Sequence, residues 1–290
     1  MRRYVASRLG VAVLTLFGMS VVIFVLLRLA PGSIVDILQY LRWIAGVVSG
    51  DLGKSYRYDL PAWQLVKPLI PVTVELALIS TAIAALLGIP TGVISAVRQD
   101  SALDHALRIF SLAGLSMPSF WLGMVIILAL VAWIGWIPPV TYVSPAANLP
   151  LHLVQFLLPG LAVGYRSSAL IMRLTRSALL EVLREDYIRT ARAKGQSGPA
   201  VIWRHALANA ILPVVTVVGI EFAFLIGGLV VTETVFNLPG VARFLVQAIL
   251  WRDYPVVQNL VMFIAIVVIL TSLGVDLLYA WLDPRIRYAK

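Results

Sequence analysis

Two stretches of the sequence and three histidines carry residue types that can do chemistry, and their spacing decides whether they form a site. GDLGKS at 50–55 resembles the end of a phosphate-binding Gly-x4-Gly-Lys-Ser loop, but Val48 stands where that loop needs its first glycine. GLSMP at 114–118 lacks the last glycine of the Gly-x-Ser-x-Gly elbow of hydrolases. The histidines are scattered without metal-ligand spacing: His105, His152 and His205. We therefore predict no catalytic residue, bound metal or cofactor in this chain.

The composition is that of a membrane protein. Of 290 residues, 60% are hydrophobic and 13% are charged, whereas soluble domains carry about 45–50% apolar and about 25% charged residues. The absence of cysteine excludes disulfides, thiolate catalysis and cysteine-ligated metals. The net charge of +9 would suggest a nucleic-acid partner in a soluble protein, so the placement of the charges matters.

Four charged residues stand in or near long apolar stretches: Glu75, Arg166, Glu221 and Asp276. A charge at the centre of a membrane helix costs ~2.5–3.5 kcal/mol, so such residues usually face a wet cavity or another helix. We predict that Arg166 and Glu221 face a pore. Glu75, at the end of its stretch, is expected to reach water.

Six segments are long and apolar enough to cross a bilayer, which needs roughly 20 residues per helix. They are about 9–29, 71–97, 107–134, 153–174, 209–232 and 257–281. The first is longer than the ~7–15 residues of a signal-peptide core, so we expect an uncleaved span. The sequence therefore predicts an all-α integral membrane protein with six transmembrane helices.

The basic residues give the orientation. Fifteen of the 23 Lys and Arg residues fall in the N-terminus, the loop near 98–108, the stretch 173–204 and the tail. The positive-inside rule therefore predicts cytoplasmic termini, and nucleic-acid binding loses its main support. Asp276 would lie near the cytoplasmic end of its span and pair with Arg285 or Arg287.

The external segments are predicted to be short. The segment 30–70 contains an apolar piece, Ile34–Val48, that is too short to span and is expected at the membrane interface or the external mouth. The loop Ile137–Pro150 is expected to be irregular. Within the spans, small residues allow close helix packing at Gly88 with Gly92, Gly160 with Gly164, and Gly227 with Gly228.

The cytoplasmic loop 175–208 has the strongest helical pattern outside the spans. Apolar residues recur at helical spacing from Ser177 to Lys194, and Glu185 with Arg189 forms a favourable i, i+4 pair. Gly195 suits a left-handed helix end, and Pro199 suits the first turn of the next helix. A solvated connection without a partner explains this spacing as well as a helix that docks into a partner's groove does.

Many stretches resemble one family. DYIRTARAKG at 186–195 and RHALANAILPV at 204–214 look like the cytoplasmic loop of the inner-membrane permease subunits of ABC importers, in particular the B-type subunit of the dipeptide, oligopeptide and nickel permease family. Further matches follow in order along nearly the whole chain: YVASRLG from Tyr4, LAPG from Leu29, YLRWIAGVVSGDLGKSY from Tyr40, TVELAL from Thr73, SMPSFWLG from Ser116, RLTRSALLEVL from Arg173, ETVFNLPG from Glu233, RDYPVVQ from Arg252 and VDLLYAWLDPRIRY from Val275.

The resemblance implies a type I ABC importer permease fold in which the loop is a coupling helix, received by a cleft on a separate ATPase. The family's Glu-Ala-Ala-x3-Gly pattern falls on 189–191 and Gly195, with Arg189 and Thr190 departing from the generic letters. The residues assigned to ATPase coupling are Glu181, Asp186, Tyr187, Arg189, Thr190, Ala191, Lys194, Gly195 and His205.

The resemblance also implies partners and a cargo. They are a second homologous permease, two ATPases that bind ATP and magnesium, and an external substrate-binding protein. The chain would form half of a pathway for dipeptides, oligopeptides or a related small solute in the cytoplasmic membrane of a bacterium or archaeon. Arg166 and Glu221 are the candidates for its lining. An ATP-independent transporter or channel is the alternative, and an intramembrane enzyme lacks any complete catalytic motif.

One departure concerns length. The family usually has PGDP and several tens of further residues before the YLRW-like stretch, whereas here PGSI at 31–34 runs almost directly into it. A naturally short external domain and an omitted segment both fit this departure.

Overall fold

The structure, a computed structural model, describes residues 2–28, 37–139 and 141–282. Among them every regular element is helical, apart from an isolated bridge between Lys54 and Pro61. The helices are α1 (Arg2–Arg28), α2 (Ile37–Ser49), α3 (Ala62–Val66), α4 (Ile70–Val97), α5 (Ala102–Ser116), α6 (Ser119–Ala129), α7 (Leu149–Val182), α8 (Asp186–Ala193), α9 (Gly198–Ala200), α10 (Leu207–Gly228), α11 (Val230–Val235), α12 (Val241–Leu250) and α13 (Tyr254–Leu282). Two π-helical turns, Leu130–Ile134 and Val201–Ala206, follow α6 and α9.

Four helical segments in the described part of the chain are long and apolar enough to cross a membrane. They are Ser7–Leu26, Ala62–Val97, Gly198–Gly228 and Tyr254–Leu278. A fifth exists if the pair Ala102–Ser116 and Ser119–Ile134 counts as one broken span. The chain is thus a multi-pass, all-helical membrane protein, and the count of six stays a prediction.

Two of the six predicted segments differ from simple apolar helices. The segment 107–134 is bent by 101° between α5 and α6. Pro118 lies at the bend in an extended conformation. A proline disfavours the helical conformation of the residue before it, so the helix ends there. The segment 153–174 lies inside α7, which is less apolar than the four long segments above because it carries polar side chains such as His152, Gln155 and Arg166.

The chain divides into two compact units, Met1–Glu75 with Ala223–Lys290, and Leu76–Phe222. In the first unit, α1 packs along α13, and Arg8 pairs with Asp276 at 3.2 Å. Arg285 and Arg287, the partners predicted for Asp276, lie outside the described residues, as does the LAPG motif.

Helix α2 packs on α1 within the same unit. The hydroxyl groups of Tyr40 and Ser20 are 2.8 Å apart and hydrogen bonded, and the ring of Phe24 contacts Tyr40 edge-on and stacks with Trp43. Ser20 and Phe24 are buried by these contacts. The apolar face of α2 therefore lies against a membrane helix, and α2 itself has 13 residues, too few to span.

Buried carboxylates organise the loops of the first unit. Glu233 accepts hydrogen bonds from the Thr73 hydroxyl (2.6 Å) and from the backbone N–H of Arg243 (2.7 Å), which is a free donor in the first turn of α12. Thr73 also accepts from the N–H of Val241 at 2.7 Å. The family-like motifs TVELAL and ETVFNLPG thus meet at the start of α12. Gly240 is required there because a Cβ would lie 2.0 Å from the Glu233 carboxylate.

The second unit is held by close packing of α4 against α7. A Cβ at Gly92 would lie 2.7 Å from the carbonyl oxygen of Met172, and one at Gly164 would lie 2.7 Å from that of Ser80. Gly88 and Gly160 are equally close to α7 and α4 respectively. The predicted packing role of these two glycine pairs is confirmed. Gly228, in contrast, has open space around its Cβ position.

Candidate functional site

The loop between α7 and α10 contains the eight-residue helix α8, the short helix α9 and a π-helical turn. The spacing predicts one helix over 177–194, and this is wrong, because α7 ends at Val182 and Glu185 is extended (φ −67°, ψ 147°). In one straight helix, Leu183 and Ile188 would point about 140° apart. The break lets both side chains pack into one apolar cluster.

Ile188 is the residue that seats α8. Its side chain is fully buried, with Val93 and Ala96 of α4, Leu179 of α7 and Ala206 before α10 in the same cluster. Ala191 packs against this cluster from the next turn of α8. Burying an isoleucine side chain contributes about 1.5–3 kcal/mol, so α8 is held on its stem by one face.

The residues predicted to couple to an ATPase lie mostly on the free surface of this loop. Two are half-buried, Ala191 and His205. The others are exposed: Glu181, Asp186, Tyr187, Arg189, Thr190, Lys194 and Gly195. The predicted pair of Glu185 with Arg189 is absent, since Glu185 precedes the helix, and Arg189 instead contacts Asp186 at 3.2 Å.

One contact and one unpaired nitrogen at the edge of this surface are not indicated by the sequence. Asn209 of α10 donates to the Tyr187 hydroxyl at 3.0 Å, which ties α8 to the following helix. His205 has a buried Nε2 without a hydrogen-bond partner among the described residues.

The end of α8 follows the prediction. Gly195 has a φ of +77°, its N–H donates to Arg192, and the N–H of Gln196 donates to Ala191. These two bonds form the Schellman arrangement that a glycine in this conformation permits. Pro199 lies in the first turn of the next helix, where its missing N–H costs nothing. The confirmed turn leaves Lys194 and Gly195 at the tip of the loop.

A buried ion pair braces the stem of the loop. Asp104, which is fully buried in α5, accepts two hydrogen bonds from Arg176 of α7, at 3.0 and 2.7 Å. The Ser95 hydroxyl of α4 and the N–H of Asp100 also donate to Asp104. This network joins three helices six residues before α7 ends. In the sequence, Arg176 and Asp104 are 72 positions apart, and no spacing rule indicates that they pair.

The two pore candidates have different surroundings. Glu221 of α10 is half-buried and accepts a hydrogen bond from the Ser167 hydroxyl of α7 at 2.8 Å. Arg166 is exposed and has no hydrogen bond or ion pair with a described residue. Glu221 therefore contacts Ser167, the residue after Arg166, but forms no ion pair with Arg166 itself.

The phosphate-loop-like stretch has a structural role in the first unit. The Ser55 hydroxyl and the N–H groups of Tyr56 and Arg57 donate to the buried carboxylate of Asp253. Lys54 contacts Asp59 at 2.6 Å. The motifs GDLGKSY and RDYPVVQ thus meet through Asp253.

Chemically, the loop is suited to docking. Among the described residues, no group of three or more His, Asp and Glu side chains could hold a metal ion. The exposed residues of α8 offer charge, an aromatic ring and a fixed turn on a rigid stem, which are features of a helix that docks into a groove.

Comparison with known proteins gives a consistent result. Residues 88–288 match the family model described as "Binding-protein-dependent transport system inner membrane component". The chain is similar to the Di/tripeptide transport system permease protein DppB of Pseudomonas aeruginosa (strain UCBPP-PA14), with 38% identity over 336 positions and full coverage of both chains. It is 37% identical to the Dipeptide transport system permease protein DppB of Escherichia coli (strain K12), again over the full length of both.

A third relative is the Oligopeptide transport system permease protein AppB of Bacillus subtilis (strain 168), with 34% identity over 99% of this chain and 100% of that protein. Among solved structures, the fold resembles a chain in the inward-facing MetNI methionine ABC transporter, with a TM-score of 0.61 and 19% identity. That match covers 77% of this chain and 98% of the other. The alignment with the Pseudomonas aeruginosa protein has 336 positions, 46 more than the 290 residues of this chain. This chain is therefore shorter than the alignment, as the short stretch between PGSI and YLRW suggests.

Proposed function

Since the chain belongs to the family of binding-protein-dependent transport system inner membrane components and is a permease subunit of an ABC importer, we propose that it forms half of a pathway for the import of small peptides. The peptide cargo follows from the names of its relatives, which include di/tripeptide and oligopeptide permeases. The proposed membrane is the cytoplasmic membrane of a bacterium or archaeon, crossed by six helices with cytoplasmic termini.

The observation that carries the proposal is the construction of α8. One buried side chain, Ile188, fixes the helix on its stem, while the rest of its surface is largely exposed. We propose that a cleft on a separate ATPase subunit receives this exposed face. Two ATPases, which bind ATP and magnesium, would act on this chain and on a second homologous permease, and an external binding protein would deliver the peptide.

Co-purification in mild detergent tests this docking. The wild-type chain, expressed with its partner subunits, is expected to retain the ATPases. Thr190→Trp and Lys194→Glu each change the exposed surface of the loop and are expected to lower the amount retained. Lys67→Glu is the matched control, because Lys67 is also exposed and lies on the opposite predicted side. Equal ATPase retention by all four proteins would contradict docking through this loop.

For the pathway, we propose that Arg166 and Glu221 line the route of the peptide. The support for Arg166 is that an exposed charge within a membrane protein needs water, a ligand or a partner subunit around it. The support for Glu221 is that a charged side chain within a span usually faces a wet cavity or another helix. Arg166→Gln is expected to reduce peptide uptake at least severalfold while ATPase retention stays normal, because the Arg166 side chain forms no hydrogen bond or ion pair with a described residue. Unchanged uptake would remove Arg166 from the pathway.

A further inference from the structure

A groove of about 340 Å³ lies in the second unit where α4 ends, α5 begins and the π-helical turn before α10 passes. Its apolar walls include Ile94, Val97, Leu103 and Ile202, and its polar edge is formed by Arg98 and Trp203. Three of the apolar residues are more than a third exposed: Ile94 (42%), Val97 (45%) and Leu103 (38%). Apolar surface of this kind needs a partner or a lipid to cover it.

The position of the groove indicates which of these covers it. Val97 is the last residue of the candidate span Ala62–Val97, and Ile202 lies near the start of the span Gly198–Gly228. Both walls therefore come from the ends of membrane helices, at the level where hydrocarbon meets headgroups. Trp203, which is 58% exposed, has the side chain that is enriched at this level.

The positive charge of Arg98 at the groove's edge favours an anionic lipid headgroup. The guanidinium of Arg98 forms no ion pair or hydrogen bond with a described residue, and its planar fork suits a phosphate. The stretch 173–204, which contains the groove residues Ile202 and Trp203, is basic, with seven Lys and Arg residues against three acidic ones. Two of its arginines, Arg176 and Arg189, are paired with aspartates. A zwitterionic headgroup would bring a further cation to this surface, whereas an anionic one would not. Basic pockets between helices on the cytoplasmic side commonly bind anionic lipids.

We propose that this groove binds an anionic phospholipid, with an acyl chain along Val97, Leu103 and Ile202 and the headgroup phosphate on Arg98. Val93 and Ile202, which line the groove, also belong to the apolar cluster around Ile188 of α8. The groove therefore lies on the same side of the membrane as α8, and its cytoplasmic location rests on the proposed function. The lipid would thus contact, from the membrane side, the helices on which the coupling helix is seated.

Native mass spectrometry of the complete transporter, delipidated and then titrated with phosphatidylglycerol or phosphatidylcholine of the same acyl chains, tests the proposal. The wild type is expected to retain phosphatidylglycerol in preference to phosphatidylcholine. Arg98→Gln is expected to weaken phosphatidylglycerol binding about tenfold. Ile94→Trp, which fills the groove but keeps Arg98, is expected to weaken binding of both lipids.

Arg108→Gln is the matched control, since Arg108 is an exposed arginine of the same predicted loop that does not line the groove. It is expected to bind phosphatidylglycerol as the wild type does. Equal retention of the two lipids by the wild type, or equal phosphatidylglycerol binding by wild type, Arg98→Gln and Ile94→Trp, would overturn the proposal. So would a transporter that binds no lipid because a partner subunit covers the groove. The same spectra show whether ATPase subunits are present, so failure of the proposed function is a separate result.

Discussion

At the scale of single residues, the ion pair of Asp104 with Arg176 matters most for the loop. The Asp104 side chain is fully buried and the Arg176 side chain is 19% exposed. If one partner is removed, water therefore cannot reach the Asp104 charge and reaches the Arg176 charge only in part. Breaking a buried pair by deleting one partner typically costs roughly 3–5 kcal/mol. The network joins α4, α5 and α7, and its loss would loosen the stem that presents α8.

We therefore expect Asp104→Ala to lower the thermal unfolding midpoint clearly in detergent. Asp186→Ala removes the contact of Asp186 with Arg189, whose side chains are 93% and 75% exposed respectively. The unfolding midpoint of this variant is expected to change little, because exposed ion pairs contribute little to stability. The double variant Asp104→Ala with Arg176→Met should recover much of the lost stability, since it removes the stranded charge. Similar midpoints for Asp104→Ala and Asp186→Ala would show that the buried pair is not a brace.

At the scale of helices, the contact of α4 with α7 depends on glycines that approach backbone atoms. A Cβ at Gly164 would lie 2.7 Å from the Ser80 carbonyl oxygen and 2.8 Å from the Ile83 side chain. Overpacking of this kind typically costs about 1–3 kcal/mol. Gly164→Ala and Gly92→Ala are expected to lower the unfolding midpoint.

Gly18→Ala in α1 is the control for these changes. A Cβ there meets no atom within 4 Å, so alanine is expected to leave the midpoint unchanged or to raise it, because alanine is the better helix former. If all three variants unfolded alike, the close α4–α7 contact would not be the source of stability.

Helix α8 depends on the burial of Ile188. Ile188→Ala leaves a cavity in the cluster that seats α8, and changes of this type cost about 2–5 kcal/mol. Hydrogen exchange of residues 186–193 is expected to become faster, and ATP hydrolysis by the assembled importer is expected to respond less to the loaded binding protein. Exchange in α8 at the wild-type rate would mean that Ile188 does not hold the helix.

Sequence patterns predicted some elements well and others poorly, for physical reasons. The end of α8 at Gly195 and the glycine contacts of α4 with α7 were predicted because backbone freedom and small size are local properties of a residue. The break before α8 was missed because it serves a cluster built from four segments of the chain. The partner of Asp104 was missed because 72 residues separate the two charges, and no spacing rule reports such a contact.

At the scale of the whole molecule, the orientation in the membrane can be tested directly, since the chain has no cysteine of its own. Gln196→Cys places a thiol in the exposed loop between α8 and α9, and Ala147→Cys places one in the exposed turn before α7. In intact cells, a membrane-impermeant maleimide is expected to label position 147 only, and after lysis both positions. Labelling of position 196 in intact cells would contradict a cytoplasmic loop.

The central claim is that α8 couples peptide movement through this chain to ATP hydrolysis on separate subunits. Uptake of a labelled dipeptide into proteoliposomes, measured with and without the ATPase subunits and in the presence of the binding protein, tests it most directly. We predict ATP-dependent uptake only when the ATPases are present, and strongly reduced uptake with Thr190→Trp. Uptake at the full rate by liposomes that contain no ATPase would contradict the account and favour an ATP-independent transporter.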